Sequence, residues 1–259
     1  MAKIVFITGA TSGFGKATAE KFASHGYDLI LNGRRKDRLE ELCKTLARRF
    51  NVASLTLPFD VRDEKAVFDS INNLPEDWKK IDILFNNAGL AAGRDYFDEA
   101  EVNDWNIMVD TNIKGFMYVA KAVSQLMAKN NASTESPGHI INMGSVAGKQ
   151  VYEKGNVYCA TKFAVDALNQ AMRIDLLRHN IKVTGIHPGA AETEFSLVRF
   201  KGNEATAKSI YNGIKPLTAE DVADIIYYCA TLPPHVCIND LSVTCTQQAD
   251  TIYFNRKNP

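Results

Sequence analysis

Short apolar runs rich in β-forming residues alternate with longer amphipathic stretches along almost the whole chain. The runs fall at 4–8, 28–31, 53–57, 81–85, 139–143, 182–187 and 241–244. Between them, helical periodicity covers 14–25, 36–49, 63–73, 101–130, 156–178 and 218–230, with a soft break near 112–115. Runs apolar on both faces and joined by helices fit a parallel sheet covered on both sides. The pattern predicts a three-layer α/β fold: a doubly wound parallel sheet of about seven strands with helices on both faces.

At 259 residues the chain is compatible with one large domain over 1–259. Folding at this size buries roughly 70–75% of the unfolded surface, so no staple is required. Lys+Arg and Asp+Glu both number 30, which argues against non-specific binding to nucleic acid or a membrane surface. No apolar run approaches the ~18 residues needed to span a bilayer, and the first run is too short for a secretory leader. Five cysteines, odd in number and without a Cys-x-x-Cys pair, read as reduced thiols, so a cytoplasmic location is expected. Asn131-Ala132-Ser133 matches a glycosylation acceptor, but without a leader it reads as a polar surface loop. Segment 190–216 is long and lacks clean periodicity, which makes it a candidate lid over a site.

The first turn carries Gly9, Thr11, Ser12, Gly13, Phe14 and Gly15 between a strand and a helix. That context gives a glycine motif its meaning in a Rossmann fold. Gly9 permits the tight turn, Gly13 lets backbone approach a pyrophosphate, and Gly15 lets helix and strand pack closely. The helix N-terminus then faces the phosphates. The second run ends in Gly33-Arg34-Arg35, with Arg38 close behind, where NAD binders usually carry an acidic residue. Arginines there suit a 2′-phosphate through charge-assisted hydrogen bonds, so NADP is favoured over NAD. The plainer alternative is that they solvate a helix start, although the helix dipole disfavours cations at that end. Asp60 and Val61 follow the third run, and Asn87, Ala88 and Gly89 follow the fourth. Both positions are carboxyl ends of strands, where ligands bind in open α/β sheets.

Downstream, Ser145, Tyr158 and Lys162 lie in one stretch, and the last two are neighbours one turn apart on a helix. Tyrosine, with a pKa of about 10, is a poor base at neutral pH. An ammonium at ~4 Å is worth roughly 4 kcal/mol at an effective dielectric of ~20, or about three pK units, opposed in part by desolvation. The spacing therefore predicts that Lys162 pulls the Tyr158 phenol downward and makes it a usable acid/base. Ser145 can stabilise a developing carbonyl oxygen. With the glycine turn, these residues point to hydride transfer to or from a nicotinamide. The five histidines show no ligand spacing, so no metal is expected, and His187 reads as a packed strand-end residue.

In order along the chain, Thr8-Gly9, Gly13, Gly15, Asn86-Asn87-Ala88-Gly89, Ser145, Tyr158, Lys162, Pro188-Gly189 and Thr193 resemble the signature of short-chain dehydrogenases/reductases. The resemblance spans the whole chain. It implies Tyr158 as general acid/base, Lys162 on the nicotinamide ribose and Ser145 on the substrate oxygen. It also implies Asn112 as a fourth catalytic residue that holds a water near the lysine. Pro188, Gly189 and Thr193 would meet the nicotinamide end.

The first loop and the stretches 74–78, 87–91 and 195–202 are similar to microbial NADP-dependent 3-hydroxy acid dehydrogenases. That branch implies short hydroxy acid substrates such as L-allo-threonine, serine and 3-hydroxyisobutyrate. It also implies a homotetramer paired through helices around 101–130 and 156–178. Arg199 or Lys201, a basic pair on an otherwise apolar stretch, is expected to meet the substrate carboxylate, with solvated loop charges as the plain alternative. Gln150 and Tyr152 are further candidates for the pocket wall. Two other readings share these residues: a broad carbonyl or diketone reductase, and a non-catalytic NADP-binding sensor.

Overall fold

The computed structural model describes residues 2–130 and 138–257, so the acceptor match at 131–133 lies outside the described residues. Seven parallel strands form one sheet. They are β1 (Ile4–Ile7), β2 (Asp28–Asn32), β3 (Ser54–Leu57), β4 (Ile81–Asn86), β5 (His139–Met143), β6 (Lys182–Pro188) and β7 (Asp240–Val243). Their spatial order is β3-β2-β1-β4-β5-β6-β7. The chain winds outward from β1 to β3 and then crosses back to place β4 on the other side of β1. That reversal opens a crevice at the carboxyl ends of β1 and β4, the usual ligand position in such sheets.

Strand alternation explains why the runs look continuously apolar. Val5 and Ile7 enter one core with Leu29, Leu31, Phe85 and Ile141, while Ile4 and Phe6 enter the other with Ile30, Leu84 and Ile140. Both faces are buried, and each such side chain contributes roughly 1.5–3 kcal/mol. Helices α1 (Gly13–Ala23) and α2 (Lys36–Phe50) cover the first face through Phe22, Leu39 and Leu46. The second is covered by α3 (Glu64–Asn72) and by α5 (Phe116–Asn130), which follows α4 (Val102–Val109). The long α6 (Asn156–Asp175) runs past the carboxyl end of β5. It stops three residues before the predicted end, and a separate turn of 3₁₀-helix covers 177–179.

Two departures from the periodicity have physical causes. The soft break near 112–115 is a π-helical turn over 110–115 joining α4 to α5. Such widened turns accompany functional positions, and this one holds Asn112 inward at 1% exposure. A side chain at Gly115 would meet the Val61 carbonyl at 2.9 Å. Segment 190–216 is not irregular throughout. It contains α7 (Glu194–Arg199) and α8 (Glu204–Ser209), six residues each, capped by Thr193 and Asn203 side chains. Helices this short carry too few turns to show a period. The last helix, α9 (Ala219–Thr231), opens with a Thr218–Asp221 capping box and packs on α1, with Tyr227 5.3 Å from Phe22 between ring centres. No helix among the described residues is long and apolar enough to cross a membrane.

Candidate active site

The glycine turn has the conformation its residues suggest. Gly9 and Gly13 adopt positive φ of 66° and 49°, and a Cβ on Gly15 would stand 2.3 Å from the Gly9 carbonyl oxygen. Only hydrogen fits there. The Ser12 side chain makes no cap hydrogen bond, so it leaves the first N–H groups of α1 uncovered. Asn87 holds the turn from β4: its backbone N–H donates to Thr8 Oγ1 at 2.9 Å and its Nδ2 donates to the Thr8 carbonyl at 2.9 Å. A cradle of bare backbone N–H groups at a helix start fits a dinucleotide pyrophosphate.

At the end of β2, Arg35 Nη2 donates to Thr11 Oγ1 at 2.9 Å, and Arg34 lies 4.0 Å from Asp60. Asp60 is also gripped by Arg62, with Nη2 2.6 Å from Oδ2. Partial burial pushes the Asp60 carboxyl up, but the Arg62 bonds and the Arg62 and Arg34 charges outweigh it and hold the pKa below its usual value.

A cavity of about 480 Å³ runs from these arginines to Tyr158, Lys162 and Arg199. The expected coenzyme, catalytic and substrate residues line it, except for Gly15, Arg38, Asn112, Gln150 and Lys201. Gly15 packs behind the turn. Arg38 pairs with Glu194 at 3.5 Å. Asn112 accepts from the Leu90 N–H at 2.9 Å, and its Nδ2 donates to the Leu90 carbonyl at 2.8 Å and to Thr161 Oγ1 at 3.1 Å. It thus ties the loop after β4 to α6. Gln150 Oε1 accepts from Thr251 Oγ1 at 2.8 Å, which fixes a tail residue that lines the cavity. Lys201 pairs with Asp104 at 2.9 Å and is 62% exposed.

Tyr158 and Lys162 are both buried on α6. Their electrostatics correct the expectation from spacing. Lys162 Nζ donates to the Met143 carbonyl at 3.0 Å and lies 6.0 Å from the Tyr158 ring centre. Burial pushes its pKa down to about 8. The phenol is pushed up, chiefly by burial and then by Tyr152, while a hydrogen bond with Ser145 and the Arg199 charge act downward. Helical spacing made neighbours of the two Cα atoms, but the carbonyl at the end of β5 decides where the lysine tip goes. The cation acting on the phenol here is Arg199.

Arg199 is only 8% exposed, so it is not a solvated loop charge. Its Nη1 donates to Tyr152 Oη at 2.8 Å, and its Nε donates to the Gly93 carbonyl at 3.3 Å. Its guanidinium lies 5.4 Å from the Tyr158 ring centre and 5.6 Å from that of Tyr152. Phe195 packs 5.7 Å from Tyr158 between ring centres. The sequence reading missed Arg94, Phe195, Thr251, Phe254 and Arg256 on the cavity wall. A tail folding back from beyond β7 leaves no local signal, although the aromatic Phe195 beside Thr193 was a usable one.

Behind Ser145, His187 is buried, with Nε2 3.2 Å from Asp240 and 3.7 Å from Asp166. Linear spacing shows no metal motif, yet the fold brings these three ligand atoms within 4.8 Å of one another. The Lys149 ammonium bridges the two carboxylates at 2.8 and 2.6 Å and supplies the balancing cation.

The chain is similar to known proteins over most of its length. The family profile described as short chain dehydrogenase matches residues 3–203. Sulfoacetaldehyde reductase 2 of Chromohalobacter salexigens is 46% identical over 249 residues, 96% of each chain. The NADP-dependent 3-hydroxy acid dehydrogenase YdfG of Escherichia coli (strain K12) is 43% identical over 247 residues, 95% of this chain and 96% of that one. A solved structure of the closed form of serine dehydrogenase complexed with NADP+ superimposes with a TM-score of 0.89 at 41% identity, covering 98% of this chain and all of the other.

Proposed function

The chain belongs to the short-chain dehydrogenase family, and we propose that it moves a hydride between NADP and the hydroxyl carbon of a short 3-hydroxy acid, of the L-allo-threonine, serine or 3-hydroxyisobutyrate type. It is an NADP-dependent oxidoreductase acting on CH–OH groups. One observation supports the acid substrate above others: a buried guanidinium, Arg199, stands beside the acid/base Tyr158 inside the cavity. A desolvated cation there favours a substrate that brings its own anion.

Bound NADP supplies or accepts the hydride. The protein's residues do the rest. Tyr158 Oη exchanges the proton of the substrate hydroxyl, and Ser145 donates a hydrogen bond to the same oxygen as it gains carbonyl character. The glycine turn and the arginines after β2 would hold the phosphates, and Lys162 would hold the nicotinamide ribose. Asn112 fixes the loop after β4 that lines the same cavity. Segment 190–216 serves as the substrate lid of a single domain, and Arg199 is its reading residue.

A second reading, reduction of a sulfonated aldehyde, gains support from the 46% identical sulfoacetaldehyde reductase. A sulfonate carries the same single charge that Arg199 would pair with. The test is a panel of kcat/KM values with NADP(H): L-allo-threonine, serine, 3-hydroxyisobutyrate, sulfoacetaldehyde and a neutral diketone. Hydroxy acids should lead. A leading sulfonate selects the second reading, equal rates with the diketone remove the acid reading, and turnover of nothing leaves a sensor. The same reading includes a homotetramer, for which Met117, Phe163 and Ile174 leave apolar surface on α5 and α6, and a cytoplasmic site, in keeping with five free thiols. Light scattering tests the first, and fractionation of cells tests the second.

A further inference from the structure

Glu194 is the first residue of α7, immediately after its Thr193 cap. Its two carboxylate oxygens serve two different cations. Oε2 lies 3.7 Å from Arg35 Nη1, and Oε1 lies 3.5 Å from Arg38 Nη1. Arg35 also donates to Thr11 of the glycine turn through its other terminal nitrogen. The lid segment is therefore tied to the arginines after β2, across the entrance to the cavity that Arg35 and Glu194 both line. The ends of α7 are satisfied without this tie, by the Thr193 side chain at its start and the Phe200 N–H at its end.

We infer that Glu194 is a coenzyme-specificity residue: its carboxylate holds Arg35 and Arg38 until the 2′-phosphate of NADP takes its place. The inference rests on the reading that these arginines receive that phosphate. A phosphomonoester carries about −1.5 to −2 charge at pH 7 and three acceptor oxygens. A carboxylate brings one charge and two oxygens. All three side chains are about half exposed, so the pairs are weak and readily exchanged. A coenzyme without the phosphate leaves Glu194 in place. NADP binding must break both pairs, which lowers its affinity and sets how far it is preferred over NAD.

The test is direct binding of NADPH and NADH to the purified full-length protein, followed by nicotinamide fluorescence. Glu194→Gln, with Glu194→Ala as a second variant, should tighten NADPH by roughly two- to ten-fold and leave NADH within about 1.5-fold. An Arg35→Ala/Arg38→Ala double variant should lose most of the preference for NADPH. If it keeps that preference, the arginine reading fails. If it loses it while both Glu194 variants bind NADPH no tighter than the parent, or gain equally for NADH, the exchange fails and the arginine reading stands. Matching circular dichroism melts establish that the variants are folded.

Discussion

The Arg199 guanidinium stands 5.4 Å from the centre of the Tyr158 ring, with both side chains buried on the same cavity wall. On the proposed reading, Arg199 pairs with the substrate anion and Tyr158 exchanges its hydroxyl proton, so an anion drawn to the first is delivered to the second. Arg199→Met keeps an apolar stem and removes the charge. The expected result is a fall of at least about 30-fold in kcat/KM for a hydroxy acid, from loss of a buried charge-assisted bond of about 2–3 kcal/mol. A neutral diketone should change by less than about three-fold at its optimum pH. Because Arg199 acts downward on the Tyr158 pKa, the acidic limb of the oxidation profile, where activity rises as the phenol loses its proton, should also move to higher pH. Equal losses for both substrates would assign Arg199 a purely structural role.

Lys162 provides a pH signature. Its folded pKa of about 8 lies below the usual 10.5 because of burial. The charged form is therefore penalised in the folded state, fully below pH 8. The penalty fades as pH rises from 8 to 10.5, because the unfolded chain holds the extra proton in that window. Lys162→Met removes it. Relative to the parent, this variant should be more stable at pH 7 than at pH 10 by about 2–3 kcal/mol, measured by urea unfolding without coenzyme. A pH-independent difference would refute the depressed value.

His139 behaves differently and lies away from the chemistry. Burial, helped by the Lys182 charge, pushes its pKa down to about 3. Its Nε2 shares a hydrogen bond of 2.7 Å with Thr184 Oγ1. The folded protein keeps the ring neutral while the unfolded chain protonates it below about 6.5. Stability must therefore fall as pH drops through the window from 6.5 to 3. The loss between pH 6.5 and 4.5 should be about 2–3 kcal/mol larger for the parent than for His139→Gln. Parallel acid limbs in chemical denaturation would contradict this.

The strand-to-helix turns were legible because each is local. Gly9 and Gly13 follow the first apolar run, and their positive φ is a short-range steric demand that glycine meets; Asn87 was marked by its place after the fourth run, although its bond to Thr8 spans the sheet. The choice between Arg199 and Lys201 was not legible. Arg199 is the last residue of α7 and turns inward, whereas Lys201 adopts a positive φ of 51° where the chain reverses, and reaches Asp104 instead. Glu194 meeting Arg35, and Gln150 meeting Thr251, join residues more than a hundred positions apart, which no periodicity encodes. The Tyr158–Lys162 spacing was read correctly as a shared helix face. It misjudged the electrostatics because a flexible four-carbon stem follows the nearest buried carbonyl, here that of Met143.

On the proposed mechanism, the Tyr158 hydroxyl carries the proton of the reacting alcohol. The most direct test of this is kcat/KM of Tyr158→Phe with L-allo-threonine and NADP, alongside NADPH binding. The expected result is a loss of at least about 10³-fold in turnover, with coenzyme affinity held within about three-fold. Turnover equal to that of the parent would show that another group carries the proton.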